Sequence, residues 1–430
     1  MFDIEDIRKA RFMRFHSLPS TNNAEQLALA LVGLVQAQEQ RQRARKAKDE
    51  REFQQAVRYI LADFLLGFEE EGNGWSFHPL SVSSFTGLNV GYKNFVKITE
   101  AWQYSGLIEI HKGRNHKGIE FEAGKPAYPP GLATRYRPLP PLIELAYEYG
   151  LSTGQYKDAF VTELPKKTIE VRAAKIKGEG KGRRMKPPQT AKFEPFTQQV
   201  KSLNNFLSSF TVTGTDFRGF RRLFNEGDRD DFDYNHGGRL HHADGEGYIG
   251  LPSDKRAKMQ IDGKAVVEID INASYLTILH GIKGSPLPQR DDIYDIGGLP
   301  REVVKTWFTI TFGVQKFHRS WRPAALKKLK ETCPAYTAKM TAPSVQRVVL
   351  EYFPIMQDWP DAGVRWSQLM YIESEIIVGT MLELMEAYDA PSFPVHDSLI
   401  VRKSDQNLAM KVLSEQFKDK VGIEPRLKVK

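Results

Sequence analysis

Two aspartates in apolar settings carry the chemistry that this sequence suggests. FPVHDSLIV, Phe393 to Val401, sets His396, Asp397 and Ser398 between two apolar runs, the pattern of a hairpin with a carboxylate at its tip. Alone, the stretch reads equally well as a plain β-turn, because Asp and Ser are ordinary turn residues. GKAVVEIDINASYLTILHG, Gly263 to Gly281, supplies a second carboxylate: the apolar strand VVEI ends at Asp270, after which SYLTIL turns helical. On neighbouring strands of one sheet, Asp270 and Asp397 could share divalent ions. Oxygen ligands suit Mg²⁺, or Mn²⁺ in its place, which keeps several waters and completes its shell with substrate phosphates. A pair of such ions activates an attacking 3′-hydroxyl and stabilises leaving pyrophosphate, which is nucleotidyl transfer.

The rest of the chain must position those groups. At 430 residues and 41% hydrophobic content it is long enough for two or three domains with real cores. Its 61 Lys and Arg against 53 Asp and Glu leave a net charge of +8, which favours a polyanionic partner. A single cysteine, Cys333, excludes a disulfide framework and a cysteine-based zinc site and fits a reducing compartment. MFDIEDIRKARF has no apolar leader pattern, and no later run nears the roughly 18 apolar residues of a membrane span, so a cytoplasmic protein without membrane contact is expected.

Residues 24–70 read as helix, with Phe53, Val57, Ile60, Leu61, Phe64 and Leu65 at helical spacing behind a polar run. There follow a helix with Phe95, Ile98 and Trp102 on one side, a stop at Gly106, the strand LIEI, the basic turn HKGRNHKG, a second strand and the strand RYRP. This order resembles the winged helix-turn-helix modules of DNA-binding proteins, in which a helix enters the major groove and the wing contacts backbone. The resemblance implies DNA contacts from Tyr92, Lys93, Asn94 and Lys97 on the helix and from Arg114, His116 and Lys117 on the wing. A protein-interaction module of the same shape is the alternative. From Pro165 to Lys192 the chain is rich in Lys, Arg, Gly and Pro and reads as a basic linker; Lys181, Arg183, Arg184 and Lys186 either track phosphates or are simply solvated.

In the C-terminal half the motifs resemble single-subunit polymerases of the family A type, which include the bacterial repair polymerase and the phage and mitochondrial RNA polymerases. VEIDINASYL looks like their first catalytic motif and VHDS like their last, its serine closer to the RNA enzymes than to the VHDE of the DNA enzymes. Between them REVVKTWFTITFG resembles the fingers helix, with Arg301 and Lys305 at R-x-x-x-K spacing and Phe312-Gly313 where Tyr-Gly is usual. Upstream, GGRLHH with Arg239 is similar to T-G-R-L-S-S, and the helix with Tyr371, Glu373 and Ser374 resembles the template-side helix.

The resemblance implies an α+β fold: a right-hand polymerase palm with small helical fingers, preceded by a helical and winged-helix region. The expected division is 1–150 helical and winged-helix, 151–195 linker, 196–234 thumb-like or connecting helices, 235–285 palm, 286–360 fingers and 361–430 palm. It implies Asp270 and Asp397 as ligands of two Mg²⁺ ions and Arg301 and Lys305 as triphosphate contacts, Lys305 also protonating pyrophosphate. Tyr275 is expected beneath the sugar, Phe312 and Arg239 at the nucleotide, and His396 as a brace of the hairpin. The implied function is a DNA polymerase of a phage-like or mobile-element system, acting on DNA template and primer with nucleoside triphosphates and other replication proteins. A primase or RNA polymerase on the same fold and a non-catalytic replication initiator are the alternatives.

Overall fold

In a computed structural model, all residues are described except 1–6, 8–9, 40, 42, 70–73, 114–119, 123–124, 128–131, 177–181, 216, 244–246, 291 and 360. Arg114, His116, Lys117 and Lys181 therefore lie outside the described residues. The fold is α+β, and the chain divides into two compact units, Met1–Lys167 and Thr168–Lys430.

The first unit holds β1 (Arg11–Phe12), β2 (Ser17–Pro19), β3 (Ser76–Phe77), β4 (Ile108–His111), β5 (Glu120–Glu122), β6 (Lys125–Ala127), β7 (Arg135–Pro138) and β8 (Phe160–Thr162). Its main sheet has the order β1-β3-β7-β4, with β4 and β7 antiparallel. Three helices, Asn22–Gln38, Ala47–Glu69 and Tyr92–Tyr104, bury their apolar stripes together, Leu27, Leu31 and Val35 against Phe53, Ile60, Phe64, Phe95 and Trp102. The helix expected over 24–70 is thus two helices. Glu39 takes an extended conformation at the end of the first, and Arg45 fastens the connection by pairing with Glu39 and Glu50 and lying 3.7 Å from the centre of the Phe53 ring. The Tyr92–Tyr104 helix stops as expected at Gly106, whose φ of +69° is the left-handed exit that glycine adopts without strain.

The second unit holds β9 (Ile169–Arg172), β10 (Arg184–Met185), β11 (Val212–Thr213), β12 (Phe220–Phe224), β13 (Gly237–His242), β14 (Gln260–Ile261), β15 (Lys264–Ile271), β16 (Ser392–Val395), β17 (Ser398–Arg402) and β18 (Leu427–Val429). One sheet has the order β10-β9-β12-β13 and lies on the helix Phe193–Leu207, with Phe196 stacked 5.4 Å from Phe224. The other runs β11-β14-β15-β17-β16, and β18 adds to β15. The helix Trp366–Tyr388, rich in buried Leu, Ile and Met, packs against β13 and against the helices Ser274–Ile282 and Gln406–Val421. Arg301–Val314, Pro323–Thr332 and Ala342–Tyr352 follow, with Trp307, Phe353 and Trp359 buried in the same core as the sheet and the 366–388 helix.

The expected linker over 151–195 is a correction. It contains β8 of the first unit and β9 and β10 of the second, and the boundary between units falls at 167/168. The alternation in TIEVR, with Ile169 and Val171 buried and Glu170 and Arg172 half-buried, is a strand signal inside a segment whose bulk composition is that of a linker. Residues 196–234 likewise hold most of the helix Phe193–Leu207 and strands β11 and β12, not a set of helices.

Candidate active site

β15 is eight residues long and alternates, placing Val267, Ile269 and Ile271 on one face and Glu268 and Asp270 on the other. Its partner β17 is antiparallel, with Asp270 opposite Ser398. β16 and β17 are joined by the two-residue turn His396-Asp397, so Asp397 sits one residue beyond the register of Asp270. The backbone ties them directly: Ile271 N–H donates to the Asp397 carbonyl at 3.2 Å. His396 has φ +56°, a left-handed conformation costing a non-glycine residue about 1–2 kcal/mol, so the tip is held in shape by its surroundings. Pro394 is compatible with β16 because that strand is a sheet edge.

An open cleft of about 1050 Å³ lies over this pair of strands. It is lined by Asp270, Asp397, Arg301, Lys305, Tyr275, Phe312 and Arg239, so side chains singled out in four separate stretches of sequence share one space. Arg301 and Lys305 project from the exposed side of the 301–314 helix, one turn apart, while Val303, Val304, Trp307 and Phe308 bury the other side. Arg301 pairs with Asp292 and lies 5.4 Å from the centre of the Tyr294 ring.

Arg239 enters from β13. Gly238 beside it has φ +82°, and a Cβ there would stand 2.7 Å from Ser374 Oγ, so glycine lets β13 seat against the 366–388 helix. On that helix Glu373 is 1% exposed and accepts from Arg239 Nε at 2.9 Å, while Arg239 Nη2 reaches the Tyr275 hydroxyl at 3.4 Å. The Tyr275 ring meets Phe312 edge-on at 5.9 Å. Burial and the neighbouring Glu373 carboxylate push the Tyr275 phenol above its ordinary range. Phe312 is only 4% exposed, packed between Tyr275, Phe308 and Trp359, so its ring is largely committed to packing where a nucleotide contact was expected.

The acids are unequal. Asp270 receives Lys430 Nζ at 2.9 Å, and the same ammonium lies 3.6 Å from Glu268. Glu268 is also gripped by Arg256 through two hydrogen bonds and accepts from Ser398 Oγ at 3.0 Å, so the serine in VHDS braces β15 to β17. Asp397 is pushed up to about 7 by burial, then by the Glu373 and Asp270 carboxylates. Among the described residues no group of three or more His, Cys, Asp or Glu is gathered to hold a metal ion. Two carboxylates in a cleft with basic side chains nonetheless fit Mg²⁺, which is held by one or two carboxylates plus phosphates and water. Burial and the neighbouring carboxylates that disfavour ionisation of Asp397 are what a divalent cation beside it would offset.

The structure brings Glu268, Arg256, Asp292, Tyr294 and Lys430 to the cleft as well, none of which was singled out by sequence. Only Glu268 carried a signal, as the acid on the same strand face as Asp270. Outside the cleft, Lys93 is exposed on the 92–104 helix, Asn94 is half-buried, and Lys97 pairs with Glu39 at 2.6 Å. Arg183 and Lys186 are exposed beside β10, and half-buried Arg184 pairs with Glu170 at 3.2 Å.

Among the described residues no helix is long and apolar enough to cross a membrane. No family model and no curated protein matches the chain. Among solved structures, the POL domain of Pol1 from M. smegmatis, in complex with DNA primer-template and dNTP, is similar over 54% of this chain and 50% of that chain, at 12% identity and a TM-score of 0.29. This chain therefore spans about half the length of the solved structure it matches.

Proposed function

We propose that the protein is a template-directed nucleotidyltransferase, a DNA polymerase that extends a primer with deoxynucleoside triphosphates. The observation that carries the reading is the pairing of Asp270 and Asp397 at the ends of adjacent, hydrogen-bonded strands, with Arg301 and Lys305 on a helix lining the same cleft. Mg²⁺, or Mn²⁺, held by the two aspartates would supply activation of the primer 3′-hydroxyl and charge neutralisation at the leaving pyrophosphate. The chain's own groups do the rest. Arg301 and Lys305 grip the triphosphate, and Lys305 gives its proton to the departing pyrophosphate. Tyr275 closes the sugar side and disfavours a 2′-hydroxyl. Arg239, oriented by Glu373, meets the nucleotide or primer edge.

In this reading residues 235–285 and 361–430 act as palm and 286–360 as small fingers. The first unit recruits DNA through Lys93, Asn94 and Lys97 and through the wing, Arg114 and Lys117, while Lys181, Arg183, Arg184 and Lys186 add backbone contacts. Other replication proteins are the partners such a unit would serve. The test is an extension gel with purified protein, primed and unprimed templates, and dNTPs against NTPs. Extension of the primed template by dNTPs supports the reading. Synthesis only from NTPs without primer moves it to a primase, and no synthesis under any combination overturns it.

A further inference from the structure

The sheet β10-β9-β12-β13 has two different faces. On the face toward the 193–207 helix lie Val171, Phe220, Arg222, Phe224 and Leu240. The registers put the opposite set together: Arg184 faces Arg172, Arg221 faces His241, and Leu223 lies between Glu170 and Arg239. Three guanidiniums, Arg172, Arg184 and Arg221, thus surround one carboxylate, Glu170. Arg172 Nη2 reaches it at 2.6 Å and Arg184 Nε at 3.2 Å. Burial opposes ionisation of Glu170, yet Arg184, Arg172 and Arg221 together hold it below the usual carboxylate range.

Arg172 and Arg184 are half-buried and Arg221 is buried, 8% exposed, so the cluster sits in a sheet face where solvent screens poorly. The face is continuous with the cleft. Arg239, on this same face opposite Leu223, lines the cleft, and His241, pushed down to about 4 by burial, then by His396 and Arg239, is neutral at pH 7 and adds no charge. The three arginines lie on β10, β9 and β12, two strand spacings or about 10 Å at roughly 4.8 Å each, a span of about three stacked nucleotides at 3.4 Å.

We propose that Arg172, Arg184 and Arg221 form a phosphate track that holds the sugar-phosphate backbone of the nucleic-acid strand running to the Asp270–Asp397 cleft. Guanidinium forks match phosphate oxygens two at a time, and a row of them across a sheet matches a polyanion with regularly spaced charges. The identity of the strand rests on the nucleotidyl-transfer reading; the anion chemistry does not.

The experiment is fluorescence anisotropy of a labelled single-stranded oligonucleotide, titrated with the full chain over a series of salt concentrations. For Arg172→Gln with Arg184→Gln, the slope of log affinity against log salt drops by about 1.4, at roughly 0.7 per lost phosphate contact on a single strand. Arg184→Gln alone, on the edge strand, drops it by about 0.7 and keeps the test alive if the double variant melts early. Glu170→Gln, which removes the carboxylate that Arg172 and Arg184 grip, binds tighter. An unchanged slope in the arginine variants, or weaker binding by Glu170→Gln, overturns the track. So does an acidic peptide that binds the wild type as tightly as the oligonucleotide and is lost with it in the double variant. Wild-type protein that binds the oligonucleotide in this pattern but extends no primer sinks the nucleotidyl-transfer reading and leaves the phosphate track standing.

Discussion

Arg239→Gln tests the electrostatic frame of the cleft. Glu373 is 1% exposed and the Arg239 side chain 19%, so the pair is buried on one side and nearly so on the other. Removing the guanidinium strands a carboxylate that already faces Asp397. Breaking a buried pair costs about 3–5 kcal/mol. The lower end applies, because Arg239 keeps some solvent contact and the Tyr275 hydroxyl, 3.4 Å from Arg239, can turn its proton toward Glu373. About 3 kcal/mol corresponds to a fall of roughly 6–12 °C in the melting transition of the 168–430 unit, with little change in the denaturant m-value. The double variant, Arg239→Gln with Glu373→Gln, replaces two charges by two amides and should regain all but about 1 kcal/mol of the loss. Thermal and urea unfolding of wild type, both single variants and the double variant complete the cycle. A single Arg239→Gln variant as stable as wild type, or a double variant no better than it, refutes the reasoning.

Three further outcomes are expected. Tyr275→Ala opens the side of the cleft assigned to the sugar, so the ratio of dNTP to NTP incorporation falls; an unchanged ratio removes Tyr275 from that role. Lys430→Gln frees Asp270 from a competing ammonium 2.9 Å away and tightens Mn²⁺ binding in calorimetry. The gain is no more than about fivefold, the ceiling of about 1 kcal/mol for a screened pair, and weaker binding would mean that Lys430 serves to hold Asp270 in place. Residues 1–167, cut at the observed boundary, bind duplex DNA alone, and 168–430 extends a primer only at low salt or high template concentration; equal extension by 168–430 and the whole chain at moderate salt contradicts this division of labour.

The chemistry-bearing segments were legible because each pairs a short apolar run with a polar break. VVEI before Asp270 and the apolar flanks of His396-Asp397 specify a strand end and a hairpin tip, which β15, β16 and β17 adopt. The 301–314 helix was read from the resemblance of REVVKTWFTITFG to a fingers helix, and Arg301 and Lys305, four residues apart, fall together on its exposed side. What was hidden depends on distant pairing. Lys430 reaches Asp270 only because β18 adds to β15, a pairing between segments far apart in sequence that local pattern does not encode. Asp292 meets Arg301 across a segment without regular periodicity. The 151–195 stretch misled because its charge masks a four-residue alternation, and four residues are too few to outweigh bulk composition until β12 lies alongside. The break between the first two helices was equally silent: it is fastened by Arg45 reaching Glu39 and Glu50, contacts that helical spacing does not encode.

The central claim is that Asp270 and Asp397 together hold the ions of nucleotidyl transfer. The most direct measurement is primer extension on a DNA template with Mg²⁺ and dNTPs by wild type, Asp270→Asn and Asp397→Asn, each checked for an unchanged melting transition and unchanged oligonucleotide binding. The account predicts templated extension by wild type and none by either folded variant. Extension that persists in either variant, or its absence from the wild type, contradicts it.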